Sequence, residues 1–316
     1  MVIKSGAAFE RLGGIRHLAV DKTGTLTGNQ PEVTGVVPAD GFDRAQVLAF
    51  AAAVEQQSTH PLAAAIAAAG PEAPAALDIS EEAGHGIGGT VEGRRVLVGS
   101  PRWIDTGPLK ADVERMESEG QTCVLVTVDG ALAGAIGVRD ELRPEVPEAV
   151  QTLHANGVEV SMLTGDNTRT ARALAAIAGI DDVRAELRPE DKASIVAELS
   201  SKTPTAMIGD GINDAPALAG ATVGIAMGAT GSDAAIESAD VAFTGHDLRL
   251  IPKALQHARR GSRIINQNIV LSLAIIIVLM PLAISGVLGL AAVVLVHEVA
   301  EVIVILNGLR AAQAKR

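Results

Sequence analysis

From Ile264 to Val296 the chain carries no Asp, Glu, Lys, Arg or His. A membrane-crossing helix needs about 20 apolar residues, so the run is too long for one crossing. Ser285-Gly286-Val287-Leu288-Gly289 offers a break, and the spacing predicts two spans at about 264–284 and 288–308. Arg259, Arg260 and Arg263 precede the first span, and Arg310, Lys315 and Arg316 follow the second. The loop between them is uncharged, so the positive-inside rule puts both ends on the cytoplasmic side. The competing reading is a very apolar soluble helical hairpin. Within the second span, His297, Glu298 and Glu301 fall where ionisable groups are costly and usually functional. His297 and Glu301 are four apart and share a helix face. Imidazole with carboxylate suits a divalent transition metal better than an alkali ion. A buried pair that only joins neighbouring helices is the alternative.

The 316 residues suggest two or three domains. A net charge of −11 and a pI of about 5.1 argue against a nucleic-acid partner. The single Cys excludes an intramolecular disulfide and fits a reducing compartment. Cys123 lies in the apolar run Thr122–Val126 and reads as a small core residue. Tyr is absent and aromatics are 2%, so Ala-rich helices must fill the cores. Met1 is followed by mixed polar sequence, so no signal peptide is expected.

From residue 144 onward helix and strand alternate, which predicts a parallel doubly wound sheet. Helices are expected at 145–155, 168–178, 189–200 and 232–237. Strands are expected at 158–163, 182–186, 205–208, 222–227 and 240–243. An earlier strand, Ile15–Val20, runs into the turn-rich stretch Asp21-Lys22-Thr23-Gly24-Thr25-Leu26-Thr27-Gly28. Three strands thus end in Asp at one edge, namely Asp21, Asp166 and Asp210, where open α/β sheets bind ligands. Crowded carboxylates repel unless a cation lies among them, and Mg²⁺ takes oxygen ligands alongside phosphates. Asp210 and Asp214 are four apart and share a face if a helix starts near Ile212. Lys192, near the start of its helix, can offset charge on a transferring phosphoryl group. A strand-end carboxylate such as Asp21 can attack phosphorus and form an acyl phosphate.

Residues 31–137 have a different texture. A strand is expected over 31–37, a helix over 42–53 with Asp43 as N-cap, and an Ala-rich helix over 62–69. Strands at about 90–99 and 122–137 enclose a helical stretch near 109–118. Gly84-x-Gly86-x-x-Gly89 superficially matches a dinucleotide fingerprint, but a strand follows it where that fingerprint needs a helix. Asp140 and Arg143, at the return to the sheet, could pair and set the angle between the two parts, or cap the next helix.

The run Asp21–Gly28 matches the phosphorylation signature of P-type ATPases, and nearly the whole chain resembles the carboxyl-terminal portion of a heavy-metal-translocating P-type ATPase. The resemblance implies an α/β fold: a haloacid-dehalogenase-like Rossmannoid phosphorylation domain (1–30 and 138–258), an inserted α+β nucleotide-binding domain (31–137), and a C-terminal two-helix transmembrane hairpin (259–316). It makes Asp21 the phosphorylated nucleophile, with Lys22 and Thr23 in its loop. Thr164, Gly165, Asp166 and Lys192 hold the phosphoryl group. Asp21, Thr23, Asp210 and Asp214 form the Mg²⁺ site, with Asn213 supporting. Glu55 and His60 contact adenine, while Gly84, Gly86, Gly99 and Ser100 let the backbone close on ATP. The His297–Glu298 pair resembles metal-selecting residues of cobalt, zinc or cadmium exporters, not the Met-Ser pattern of copper pumps.

A Thr-Gly-Glu dephosphorylation loop and a Cys-Pro metal-site helix are not in this sequence. The expectation is therefore the C-terminal part of a metal exporter in the cell membrane, without its actuator domain and earlier helices. Its catalytic domains are cytoplasmic, and the N-terminal half is its partner. Two alternatives stand beside it: a membrane-anchored haloacid-dehalogenase-type phosphatase, and a truncated ATP-binding protein that does not pump.

Overall fold

The structure, a computed structural model, describes the chain except residues 59–60, 71, 83–84, 210–213, 229–236, 244, 246 and 313–316. The first elements are β1 (Val2–Ile3), α1 (Gly6–Gly14), β2 (His17–Asp21), β3 (Thr27–Pro38), α2 (Arg44–Glu55) and α3 (Pro61–Ala69). Then come β4 (Ala76–Glu82), β5 (Gly86–Val91), β6 (Arg94–Gly99), α4 (Lys110–Ser118), β7 (Thr122–Val128) and β8 (Ala131–Leu142). The chain continues through α5 (Val146–Ala155), β9 (Glu159–Leu163), α6 (Thr168–Ala178), β10 (Asp182–Arg184), α7 (Pro189–Lys202) and β11 (Thr205–Gly209). It ends with α8 (Ala215–Gly220), β12 (Val223–Met227), β13 (Val241–Phe243), α9 (Leu250–Ile284) and α10 (Leu290–Ala312).

Among the described residues, one sheet has the strand order β1-β13-β12-β11-β2-β9-β10. Its neighbours are parallel except β1, which pairs antiparallel with β13. Alternate residues of each strand feed opposite layers. Leu18, Val20, Val160, Met162 and Ile208 pack with side chains of α1, α5, α6 and α9. Ala19, Leu163, Met207 and Ala226 pack with α7 and α8. The fold is the expected doubly wound α/β arrangement. β1 was not foreseen, because two residues leave no periodic trace. The helix expected at 232–237 lies almost wholly outside the described residues.

The second sheet is antiparallel, in the order β3-β8-β7-β6-β5-β4. Val124 and Val126 face α2 and α3, while Cys123 and Leu125 face α4. Cys123 is buried, and desolvation pushes its thiol up to about 12, so it is the inert core residue expected. Asp43 caps α2 in a reciprocal box, accepting from Gln46 N at 2.8 Å while Asp43 N donates to Gln46 Oε1 at 3.0 Å. The strands expected at 90–99 and 122–137 are instead the hairpins β5–β6 and β7–β8. Glu92-Gly93 and Asp129-Gly130 all have positive φ, which makes two-residue turns that reverse the chain without interrupting the apolar pattern. The acidic edge strand β4 also escaped the sequence reading, since it is largely exposed and has no clean alternation.

α9 is one continuous helix of 35 residues, starting well before the expected span. Its first turns bury Ile251, Leu255 and Ala258 against the parallel sheet, so the helix forms before the apolar run begins. Both α9 and α10 are long and apolar enough to cross a membrane. Asn307 Nδ2 donates to Asn268 Oδ1 at 2.8 Å, and Asn268 Nδ2 donates to Val304 O at 3.2 Å, joining the two helices.

Candidate active site

Strand order explains why the acidic residues meet. β2 lies between β9 and β11, so the ends of these three strands are adjacent. Asp21 is the last residue of β2 and is buried. The chain then turns through Lys22–Leu26, where Gly24 has a φ of 72°, a left-handed conformation that a side chain would strain. Arg143 holds this turn from behind: its Nε donates to Thr25 O at 3.1 Å and its Nη2 to Gly24 O at 3.2 Å. Asp140 accepts from Thr27 Oγ1 at 2.5 Å and from Gln30 N at 3.1 Å. Asp140 and Arg143 therefore do not pair with each other, contrary to that reading of the return hinge. They grip the start and end of the loop separately, because β3 and β8 run side by side with Thr27 opposite Leu142.

Lys192 reaches from α7 to donate to Asp21 Oδ1 and to Asp214 Oδ1, the latter at 3.0 Å. Burial pulls the Lys192 ammonium down, but the two carboxylates outweigh it and the net shift is upward. Lys22 Nζ lies 2.6 Å from Asp166 Oδ2. Thr164 Oγ1 accepts from Asp166 N at 3.1 Å, shaping the loop after β9. Gly165 sits close to Leu187 O, 3.2 Å from where a Cβ would stand. Gly209 is required for a similar reason, since a Cβ there would lie 2.6 Å from Asp214 Oδ2. Thr23 is half-buried at the loop, and Thr25 Oγ1 is buried with no hydrogen-bond partner among the described residues. Asp210 and Asn213 lie outside the described residues. Asp214 immediately precedes α8, which begins at Ala215, and Ile212 lies outside the described residues. Asp21 and Asp214 offer only oxygen donors, in buried and crowded positions that suit a divalent cation such as Mg²⁺.

The expected adenine side converges on another edge. Gly86 and Gly99 stand opposite one another in β5 and β6, and Ser100 N donates to His85 O at 3.1 Å. Ser100 Oγ is buried without a partner among the described residues. Glu55, at the end of α2, is buried, and desolvation with Glu81 nearby raises its carboxyl to about 7. Glu81 pairs in register with Ile87, next to Gly86. His60 and Gly84 lie outside the described residues.

The two sheets also meet through residues the sequence did not flag. Glu117 of α4 accepts from Arg169 Nη1 at 2.6 Å and from Asn167 Nδ2 at 3.1 Å, at the start of α6. Arg102 Nη2 lies 3.2 Å from Glu186 Oε1. An isolated Glu on an amphipathic helix carries no pairing signal. In α10, His297 Nε2 lies 3.3 Å from Glu301 Oε1, as the four-residue spacing requires. Glu298 is exposed and makes no ion pair among the described residues, where no group of three or more His, Cys, Asp or Glu could hold a metal.

Comparison with known proteins agrees with this geometry. Residues 15–222 match the family model for haloacid dehalogenase-like hydrolase. The chain is 58% identical over 315 residues to the probable cation-transporting ATPase G of Mycobacterium tuberculosis strain H37Rv, covering 100% of this chain and 41% of that protein. It is 42% identical over 313 residues to the zinc/cadmium/lead-transporting P-type ATPase of Escherichia coli K12, covering 98% of this chain and 42% of that protein. A crystal structure of a zinc-transporting PIB-type ATPase in the E2.Pi state superposes with a TM-score of 0.75 at 40% identity, over 99% of this chain and 52% of that one. The chain thus spans under half the length of these curated relatives. With two thirds of it matched by the family model, and with cation-transporting P-type ATPases as its relatives, the chain belongs to the haloacid dehalogenase-like hydrolases.

Proposed function

We propose that this chain is the phosphorylation, nucleotide-binding and C-terminal membrane part of an ATP-driven exporter of a divalent transition metal. Residues 1–30 and 138–258 form the phosphorylation domain, 31–137 the nucleotide domain, and 259–316 the membrane hairpin with both ends cytoplasmic. Asp21 attacks the γ-phosphorus of ATP, the bond to the bridging oxygen breaks, ADP leaves, and an aspartyl phosphate forms. Water later attacks that phosphorus, releasing phosphate and restoring the carboxylate. Lys192 holds Asp21 in place and offsets charge on the equatorial oxygens, with Lys22, Thr23, Thr164, Gly165, Asp166 and Asn213 around the group. Asp21, Thr23, Asp210 and Asp214 would hold Mg²⁺, which neutralises phosphate charge when bound. Glu55, His60, Gly84, Gly86, Gly99 and Ser100 hold the adenosine end. The cargo is of the zinc, cadmium or cobalt class, met by His297, Glu298 and Glu301 together with ligands from the rest of the pump.

The observation that carries this reading is Lys192 bridging Asp21 and Asp214 at adjacent strand ends. An anchored phosphatase is not favoured, since a nucleotide insert has no part in it. The test is labelling with γ-³²P-ATP and Mg²⁺. An acid-stable, hydroxylamine-sensitive phosphoenzyme is expected, and Asp21→Asn should abolish it because an amide cannot form the acyl phosphate. Undiminished labelling of Asp21→Asn would remove the nucleophile assignment.

A further inference from the structure

We infer that the groove between α1 and α9 is a binding site for the headgroup of an anionic phospholipid. The inference rests on the reading that α9 enters a membrane near residue 264. The groove measures about 790 Å³, with Arg16, Arg259, Ser262 and Arg263 at one end and Gln267 and Val270 at the other. At about 1.5 Å per residue, the stretch of α9 from Arg259 to Val270 rises about 16 Å. It runs from the last charged residues before the span into the apolar run, so the groove is charged at one end and uncharged at the other, where Asn266 and Gln267 lead to Val270.

Part of its donor set is unspent. Arg16 and Arg263 are exposed and make no ion pair among the described residues. Ser262 Oγ and Arg259 Nε are buried without hydrogen-bond partners there. The Nη atoms of Arg259 are committed to the wall, donating to Asn156 O and Ile15 O at 2.7 Å each. Two guanidinium groups without an ion pair among the described residues, Arg16 and Arg263, thus line the groove beside Arg259, against one carboxylate, Glu10. Burial, and then the Arg16 charge, lowers the Arg259 pKa, a strain that a bound anion relieves. Basic pockets on the cytoplasmic side of membrane helices select anionic headgroups in this way. Lipid is the source favoured over free phosphate, because the groove ends at the exposed Val270, within the apolar run of α9.

The experiment is native mass spectrometry of the full chain in detergent with an equimolar mixture of phosphatidylglycerol and phosphatidylcholine. Retention of phosphatidylglycerol about tenfold above phosphatidylcholine is expected. The preference should vanish in Arg16→Gln/Arg263→Gln and persist in Arg16→Lys/Arg263→Lys, which keeps the charge. Equal retention by the native chain, an unchanged preference in the Gln variant, or loss of the preference with millimolar inorganic phosphate would each overturn the site. Carbonate extraction separates the two readings. A chain released from membranes removes the span and the site together, whereas a retained chain without lipid preference removes only the site.

Discussion

At the end of β2 two carboxylates share one lysine ammonium, whereas at the end of α2 the buried Glu55 has another carboxylate, Glu81, as its charged neighbour. The first arrangement holds its charge in a rigid geometry before any substrate arrives. The second is an acid without an ion pair among the described residues, charged only at the cost of desolvation or when a donor is supplied to it. Phosphoryl transfer needs fixed positions, while nucleotide binding needs a site that gains on occupancy. On the function proposed above, the two regions divide those tasks.

The strongest way to break the contrast is Lys192→Met. Removing the shared cation leaves Asp21 and Asp214 buried and repelling. Phosphoenzyme formation should slow on the order of 10²–10³-fold, and unfolding free energy should fall by about 3–5 kcal/mol. Quench-flow labelling and urea titration check both, and a labelling rate within threefold of native would show that the bridge is incidental. Arg143→Ala should cost less, about tenfold in labelling, by loosening the Gly24–Thr25 turn while the fold survives. Arg143→Lys should not restore it, because an ammonium lacks the planar fork that spans two carbonyls.

Glu55 sharpens the comparison through pH. Its folded pKa, about 7, lies above its ordinary value of 4.5. Its contribution to stability is therefore full below that ordinary value and is lost as pH rises through about 7. Glu55→Gln should remove this dependence between pH 5 and 8 and be the more stable form at pH 8, measured by thermal melts. ATP affinity of the native chain should rise over the same window, as the ionised carboxylate accepts from the adenine amino group, and stay flat in Glu55→Gln. Lys192, shifted upward from 10.5, loses its contribution only at higher pH, so the Asp21–Lys192–Asp214 cluster should show no such inflection. The smallest effect belongs to the contact between the sheets. Glu117→Gln should lower stability by about 1 kcal/mol and speed amide exchange in α4, with the labelling rate changed less than twofold.

Much of the site was legible because local chemistry wrote it. The Asp21 loop, the Asp43 cap and the 168–178 helix follow from turn residues, capping and period, and the structure places them as read. Glu92-Gly93 and Asp129-Gly130 reverse the chain without breaking the apolar pattern, so the sequence shows one run where the structure has two strands. α9 begins before the expected span because Ile251, Leu255 and Ala258 pack on the parallel sheet, whereas the lack of charge marks only where the apolar run begins. By itself the sequence determined the strand-end acids, the glycine turn at 84–89 and the apolar hairpin, since each depends on residues near one another in the chain. Only the tertiary structure decided that Lys192 bridges Asp21 and Asp214, that Lys22 meets Asp166, and that Arg143 holds the loop and not Asp140. These are contacts between residues far apart in the chain, chosen by strand order and by the need of each buried charge for a partner.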